Sequence, residues 1–213
     1  MKLNTLRLRF WLGCLAMALP IIVSFLALIF NHIPGHIIPD SISATYYYDA
    51  CITPFMIILG GSSIILMCYQ GYDRLDDIVC TISGIMGLCI CFFPCYNGNL
   101  QYVGTFQIPI HLSNTLHSVA AAIFFILLAF NSFFLFTKGD SKPTKNKIKR
   151  NFIYRVCGLG IIASILFIVL ALKKSIYGLT WISETAALAF FGISWLTKAD
   201  IFPFLFCDSP YKD

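Results

Sequence analysis

From Ser118 to Phe136 the chain runs without a charged residue, and runs of this kind recur along its length. About 20 consecutive apolar residues match the roughly 30 Å hydrocarbon core of a bilayer. The composition points the same way. Of 213 residues, 58% are hydrophobic and 12% are charged, whereas soluble globular domains carry about 25% charged residues. A soluble protein with buried core helices is excluded by the same numbers, because too few polar residues remain to cover such a core.

The expected fold is all-α: one domain spanning 1–213, a polytopic bundle of six transmembrane helices. The candidate spans are 10–30, 50–70, 78–96, 109–136, 152–172 and 179–197. The first span follows Lys2, Arg7 and Arg9, but its 21 uncharged residues exceed the apolar core of an ordinary secretion signal. It is read as an uncleaved first helix. Lys and Arg flanking a span stay on the cytoplasmic side. Thirteen of the fifteen fall at one end, among them the seven between Lys138 and Arg155, while Lys173 and Lys174 stand at the other. Both termini are therefore expected in the cytoplasm, in the plasma (inner) membrane if the source is bacterial. The net charge of +5 reflects topology, not nucleic-acid binding, and the expected partners are membrane lipids.

The outer loops should be 31–49, 97–108 and 173–178, and the inner loops 71–77 and 137–151. Pro34, Gly35 and Pro39 resist a continuous helix in the first, and Tyr46, Tyr47 and Tyr48 suit an aromatic belt at headgroup level. Asp73, Asp76 and Asp77 suit a solvated turn capping the third helix. Gly60, Gly61, Gly84 and Gly87 suit close helix packing. Most of the nine cysteines read as small apolar fillers, without the paired spacing of zinc knuckles. Cys51 and Cys95 both belong near the outer face, where a disulfide between them is possible.

Polar residues inside or beside spans carry whatever chemistry there is. Glu184, the only glutamate, falls inside the sixth span, and an ionisable residue at membrane depth marks a functional site by default. Pro109 suits the first turn of a helix, which places His111 and Asn114 in the first turns at the outer end of the fourth span and His117 at a depth roughly matching Glu184. A hydrogen bond or ion pair between His117 and Glu184 is expected, with Asp49 and His111 as further neighbours. The blander alternative pairs Glu184 with Lys173, Lys174 or a histidine merely to satisfy a polar bundle.

Two stretches carry a resemblance. "IPDSISATYYYDACITPFMIILGG" resembles the P-x-I-S opening of the Frag1, DRAM and Sfk1 family of six-span proteins, and "YVGTFQIPIHLSNTLHSVAAAIFF" is similar to that family's aromatic-Gln stretch and His-led fourth helix. The matching positions are Ser41, Ser43, Gln107 and His117. The resemblance implies a six-helix membrane protein associated with lipid handling.

The expected function is to bind or handle a lipid through a headgroup site in an outer-leaflet cavity. The candidate ligand-binding residues are Ser41, Ser43, Asp49, His111, Asn114, His117, Trp181 and Glu184. No cofactor is expected. The alternative is an intramembrane hydrolase acting on a lipid through zinc held by His111, His117 and Glu184. Against it, the two histidines lie about 120° and 9 Å apart on a helix, unlike an i, i+4 zinc pair. Proton-coupled transport through Glu184 and His117 needs a polar path through the inner halves of the helices, which offer almost none. A structural or partner-binding membrane protein is the remaining alternative.

Overall fold

The computed structural model describes residues 2–30, 36, 38–139 and 144–201. Pro34, Gly35, Lys142, Cys207 and Lys212 lie outside the described residues. Six helices make up most of the described residues: α1 (Lys2–Phe30), α2 (Asp49–Cys68), α3 (Arg74–Phe92), α4 (Ile110–Phe130), α5 (Lys145–Lys174) and α6 (Leu179–Lys198). A π-helical turn, Asn131–Leu135, continues α4, and a 3-10 turn, Ser43–Tyr47, precedes α2. The all-helical expectation needs one small amendment, because β1 (Tyr102–Val103) pairs antiparallel with β2 (Ile108–Pro109) in the loop after α3.

All six helices are long and apolar enough to cross a membrane. Their most apolar windows are only 28–44% buried inside the protein, and side chains such as Ile57, Leu166 and Leu172 are exposed by 66–69%. So apolar an exterior suits hydrocarbon rather than water.

Three helix starts differ from expectation. α1 begins at Lys2, eight residues before 10. α3 begins at Arg74, four residues before 78, because the Asp73 carboxylate accepts hydrogen bonds from the Leu75 and Asp76 amides. The acidic turn is not fully solvated: Asp76 is buried and ion-paired to Lys138 at 3.0 Å. α5 begins at Lys145, seven residues before 152, where the Thr144 hydroxyl accepts from the Lys147 amide. Its basic first turns carry the helix past the apolar span, since 30 residues rise about 45 Å.

Each helix packs against its neighbour in sequence, and α6 closes onto α1, so the six form a ring. The short connections after α2 and α5 make their flanking helices antiparallel neighbours. Glycine sets the closest approaches. A Cβ on Gly84 would lie 2.4 Å from the Ser63 carbonyl oxygen, and one on Gly158 would lie 2.7 Å from the Phe133 Cβ. Backbones that meet this closely leave no room for a side chain. Gly61, by contrast, faces open space, so packing explains Gly84 and not Gly61. Inside the ring, Phe55, Leu59, Phe124, Leu188, Phe191 and Trp195 fill the core.

Candidate functional site

The loop before α2 folds into the end of the ring. Pro39, Ile42 and Thr45 are buried, so backbone amides there need protein partners. Asp40 supplies one connection to α6: its carboxylate accepts from the Gly178 amide at 3.2 Å, and its carbonyl accepts from the Trp181 amide at 3.0 Å. Glu184 supplies another. Its Oε2 accepts from the Ile42 amide at 2.6 Å, and its Oε1 accepts from the Ser43 hydroxyl at 3.4 Å. Ser41 accepts from the Ala44 amide through its Oγ, which starts the 3-10 turn. The tyrosines that follow are half-buried, and Tyr46 and Tyr48 pack against the core. Tyr47 donates its hydroxyl to the Cys95 carbonyl, and burial pushes its pKa up, with Cys95 and Tyr46 adding to the shift.

The polar strip on α4 serves the loop after α3. His117 Nδ1 lies 2.8 Å from the Phe93 carbonyl oxygen, the Ser113 hydroxyl donates to the Pro94 carbonyl at 2.7 Å, and Asn114 Oδ1 accepts from the Tyr96 amide at 2.9 Å. Because a carbonyl only accepts, His117 Nδ1 carries the proton. His117 is four residues after Ser113 and three after Asn114, so it neighbours both on the helix surface, and together they satisfy backbone groups of Phe93, Pro94 and Tyr96 in one loop.

Between these two docked loops lies a cavity of about 320 Å³. Ser41, Ser43, Asn114, His117 and Glu184 line its polar end, with Cys95 and Thr180 beside them. Ile165, Ile168, Val169 and Leu172 of α5 form the apolar wall facing Ala121, Ala122 and Phe125 of α4. The two helices are wedge-shaped in their approach, tight at Gly158 and parted at the cavity. Glu184 also borders a small central void of about 30 Å³ among Leu19, Phe55, Leu59 and Phe124.

The structure thus brings five of the eight expected residues to one cavity. The other three lie elsewhere. Asp49 is exposed in the first turn of α2, where its charge complements the helix dipole. His111 is exposed, its ring 5.7 Å from that of Tyr96. Trp181 donates its indole N–H to the Ser24 hydroxyl at 2.8 Å and so ties α6 to α1. The expected bond between His117 and Glu184 is replaced, because the loop backbones on either side claim both side chains. Nor does Glu184 pair with Lys173 or Lys174, which are exposed at the end of α5. Gln107, one of the resemblance positions, sits exposed in the β1–β2 turn and donates to the Gly104 carbonyl.

Sequence reasoning missed Cys95, Thr180 and Asp40. Their roles depend on contacts between residues far apart in the chain, such as Asp40 with Gly178, and no local spacing signals them. Burial and the nearby Glu184 charge push the Cys95 thiol up to about 12, which keeps it a thiol rather than a nucleophilic thiolate. Cys51 is also a free thiol, donating to the Val23 carbonyl at 3.3 Å, so Cys51 and Cys95 are not bridged. Among the described residues no three His, Cys, Asp or Glu side chains gather as a metal site needs, and His111, His117 and Glu184 do not converge. Ser43–Glu184 and His117–Phe93 are separate pairs and make no relay. The half of the bundle opposite the Glu184 cavity is more polar than expected, with buried Asn131, Ser132 and Ser194. Buried Leu188 and Phe191 on α6, and Phe124 and Leu128 on α4, lie between the two halves. No family model, curated protein or solved structure matches the chain, so the residues themselves carry the functional reading.

Proposed function

We propose that this is a multi-pass membrane protein that holds the polar end of a lipid in the Glu184 cavity, with both termini on the cytoplasmic side. One observation carries the reading. A single cavity joins a polar end containing a carboxylate, an amide and an imidazole to an aliphatic wall on the flank of α4 and α5. Ligand sites are concave, mostly apolar, and fitted with a few convergent polar groups. The polar end presents Glu184 as an acceptor, and no cation pairs with it among the described ion pairs. A headgroup bearing hydroxyl or ammonium donors complements that end, and its acyl chain follows the wedge toward the bilayer. The orientation rests on the placement of thirteen of the fifteen Lys and Arg residues at the opposite end.

Native mass spectrometry of the protein extracted from its own membrane tests this. One lipid class should remain bound to the wild type and be released by Glu184→Gln, with the variant's thermal midpoint close to wild type. Retention of the same lipid at the same occupancy by Glu184→Gln, or a wild type carrying no lipid, counts against it.

A further inference from the structure

At the end of the bundle opposite Glu184, two cavities of about 170 and 160 Å³ share Arg9 and Lys198 as lining residues. Lys198 closes α6, 14 residues after Glu184 and so about 21 Å further along the helix axis. Its ammonium lies 5.2 Å and 5.8 Å from the ring centres of Phe136 and Tyr154. Among the described residues no carboxylate reaches it within ion-pair distance. Arg9 donates from Nε to the Tyr69 hydroxyl at 3.0 Å and from one terminal nitrogen to the Lys198 carbonyl at 3.2 Å. The rest of its five-donor fork is left for a ligand. Lys147 donates to the Phe136 and Lys138 carbonyls, neither of which neutralises its charge.

The two carboxylates that line these cavities are already engaged. Asp76 is paired with Lys138 at 3.0 Å, and Asp200 with Arg150 at 2.8 Å. Arg9, Lys147 and Lys198 therefore converge from three helices without an anionic partner among the described residues. Gathering like charges in a partly desolvated crevice is unfavourable unless an anion joins them, and the cation–π contacts of Lys198 and Arg9 with neighbouring rings do not neutralise them.

We propose that this crevice is a binding site for a phosphate group, distinct from the Glu184 cavity and independent of it. A tetrahedral anion offers oxygens in three directions, which suits a guanidinium fork from α1 and ammonium groups from α5 and α6. A planar carboxylate offers two. The phosphate comes either from an anionic lipid headgroup or from free phosphate, and the two sources share this recognition.

The full-length protein is reconstituted in phosphatidylcholine nanodiscs and its thermal midpoint is followed while inorganic phosphate is titrated, with potassium chloride holding ionic strength constant. In a second arm, phosphatidylglycerol replaces part of the phosphatidylcholine and no phosphate is added. A saturable rise in the midpoint is expected in at least one arm. A rise with inorganic phosphate identifies a free anion, and a rise only with phosphatidylglycerol identifies a lipid. In that arm Lys198→Gln should need about tenfold more ligand for the same rise, the loss of one charge-assisted contact. Lys147→Gln, in the first turn of α5, gives the same reading if Lys198→Gln does not fold. Lys173→Gln at the other end, exposed in the last turn of α5, should respond as wild type. The site is overturned if neither arm raises the midpoint, or if Lys198→Gln and Lys147→Gln respond as wild type does.

Discussion

Glu184 accepts the Ile42 amide at 2.6 Å in a part of the bundle where that amide has little access to water. Its first role is to hold the loop before α2 in place, and the cavity it lines exists because the loop is held there. Glu184→Ala should orphan the Ile42 amide and cost about 1–3 kcal/mol, read as a lower thermal midpoint in detergent. Glu184→Gln keeps an acceptor at the same position and should cost about 1 kcal/mol or less. Equal losses in the two variants would mean that charge, not the hydrogen bond, holds the loop. Asp73 shows the opposite case, an exposed carboxylate. Its hydrogen bonds from Lys138 and from the Asp76 amide hold its pKa below the ordinary 3.8. A depressed carboxylate pKa contributes stability that is present above the unfolded value and lost as pH falls through the folded one. Asp73→Asn keeps a capping side chain and removes the charge. The gap in thermal midpoint between wild type and Asp73→Asn should therefore be constant near neutrality and close as pH falls below about 4. A gap that persists at pH 2 would refute the assignment.

At the scale of elements, helix pairs are set by which glycines face a neighbour. Gly84 and Gly61 look alike in sequence, each inside an apolar run beside a serine. A Cβ at Gly84 would press to within 2.4 Å of the Ser63 carbonyl oxygen, whereas one at Gly61 meets nothing within 4 Å. Gly84→Ala should force α2 from α3 and cost about 1–3 kcal/mol. Gly61→Ala should stabilise by about 0.4–1 kcal/mol, since alanine loses less conformational entropy on folding. Thermal midpoints of the two variants in the same detergent decide it, and a drop for Gly61→Ala would show the pairing to be misassigned. The boundaries of α3 and α5 carry a related lesson. Hydropathy marks where a bilayer would begin, but a helix continues until its caps stop it. Asp73 and Thr144 place those stops outside the apolar runs.

For the whole molecule, the ring of six helices puts basic residues at one end and the Glu184 cavity at the other. If the basic end is cytoplasmic, reporter fusions at the N- and C-termini should both be active as cytoplasmic fluorescent protein and inactive as secreted phosphatase. A fusion in the short α5–α6 connection should behave in the reverse way. Opposite behaviour of the two termini would require an odd number of crossings and undo the topology.

The six apolar runs were legible from the sequence because hydrophobic burial in a bilayer depends on local composition, and so was the isolation of Glu184 within one of them. The polar strip on α4 was legible in part: helical spacing groups Asn114 with His117, but His111, expected beside them, is exposed, and Ser113 joins the strip only through its contact with Pro94. Only the tertiary structure decided what those groups touch. Hydrogen-bond partners are chosen by whichever backbone arrives beside them, and here the loops at 38–48 and 93–96 reach Glu184 and His117 before either side chain reaches the other. The basic crevice follows the same rule: Arg9, Lys147 and Lys198 meet only because α6 closes the ring against α1 and α5, a closure that no local sequence pattern encodes.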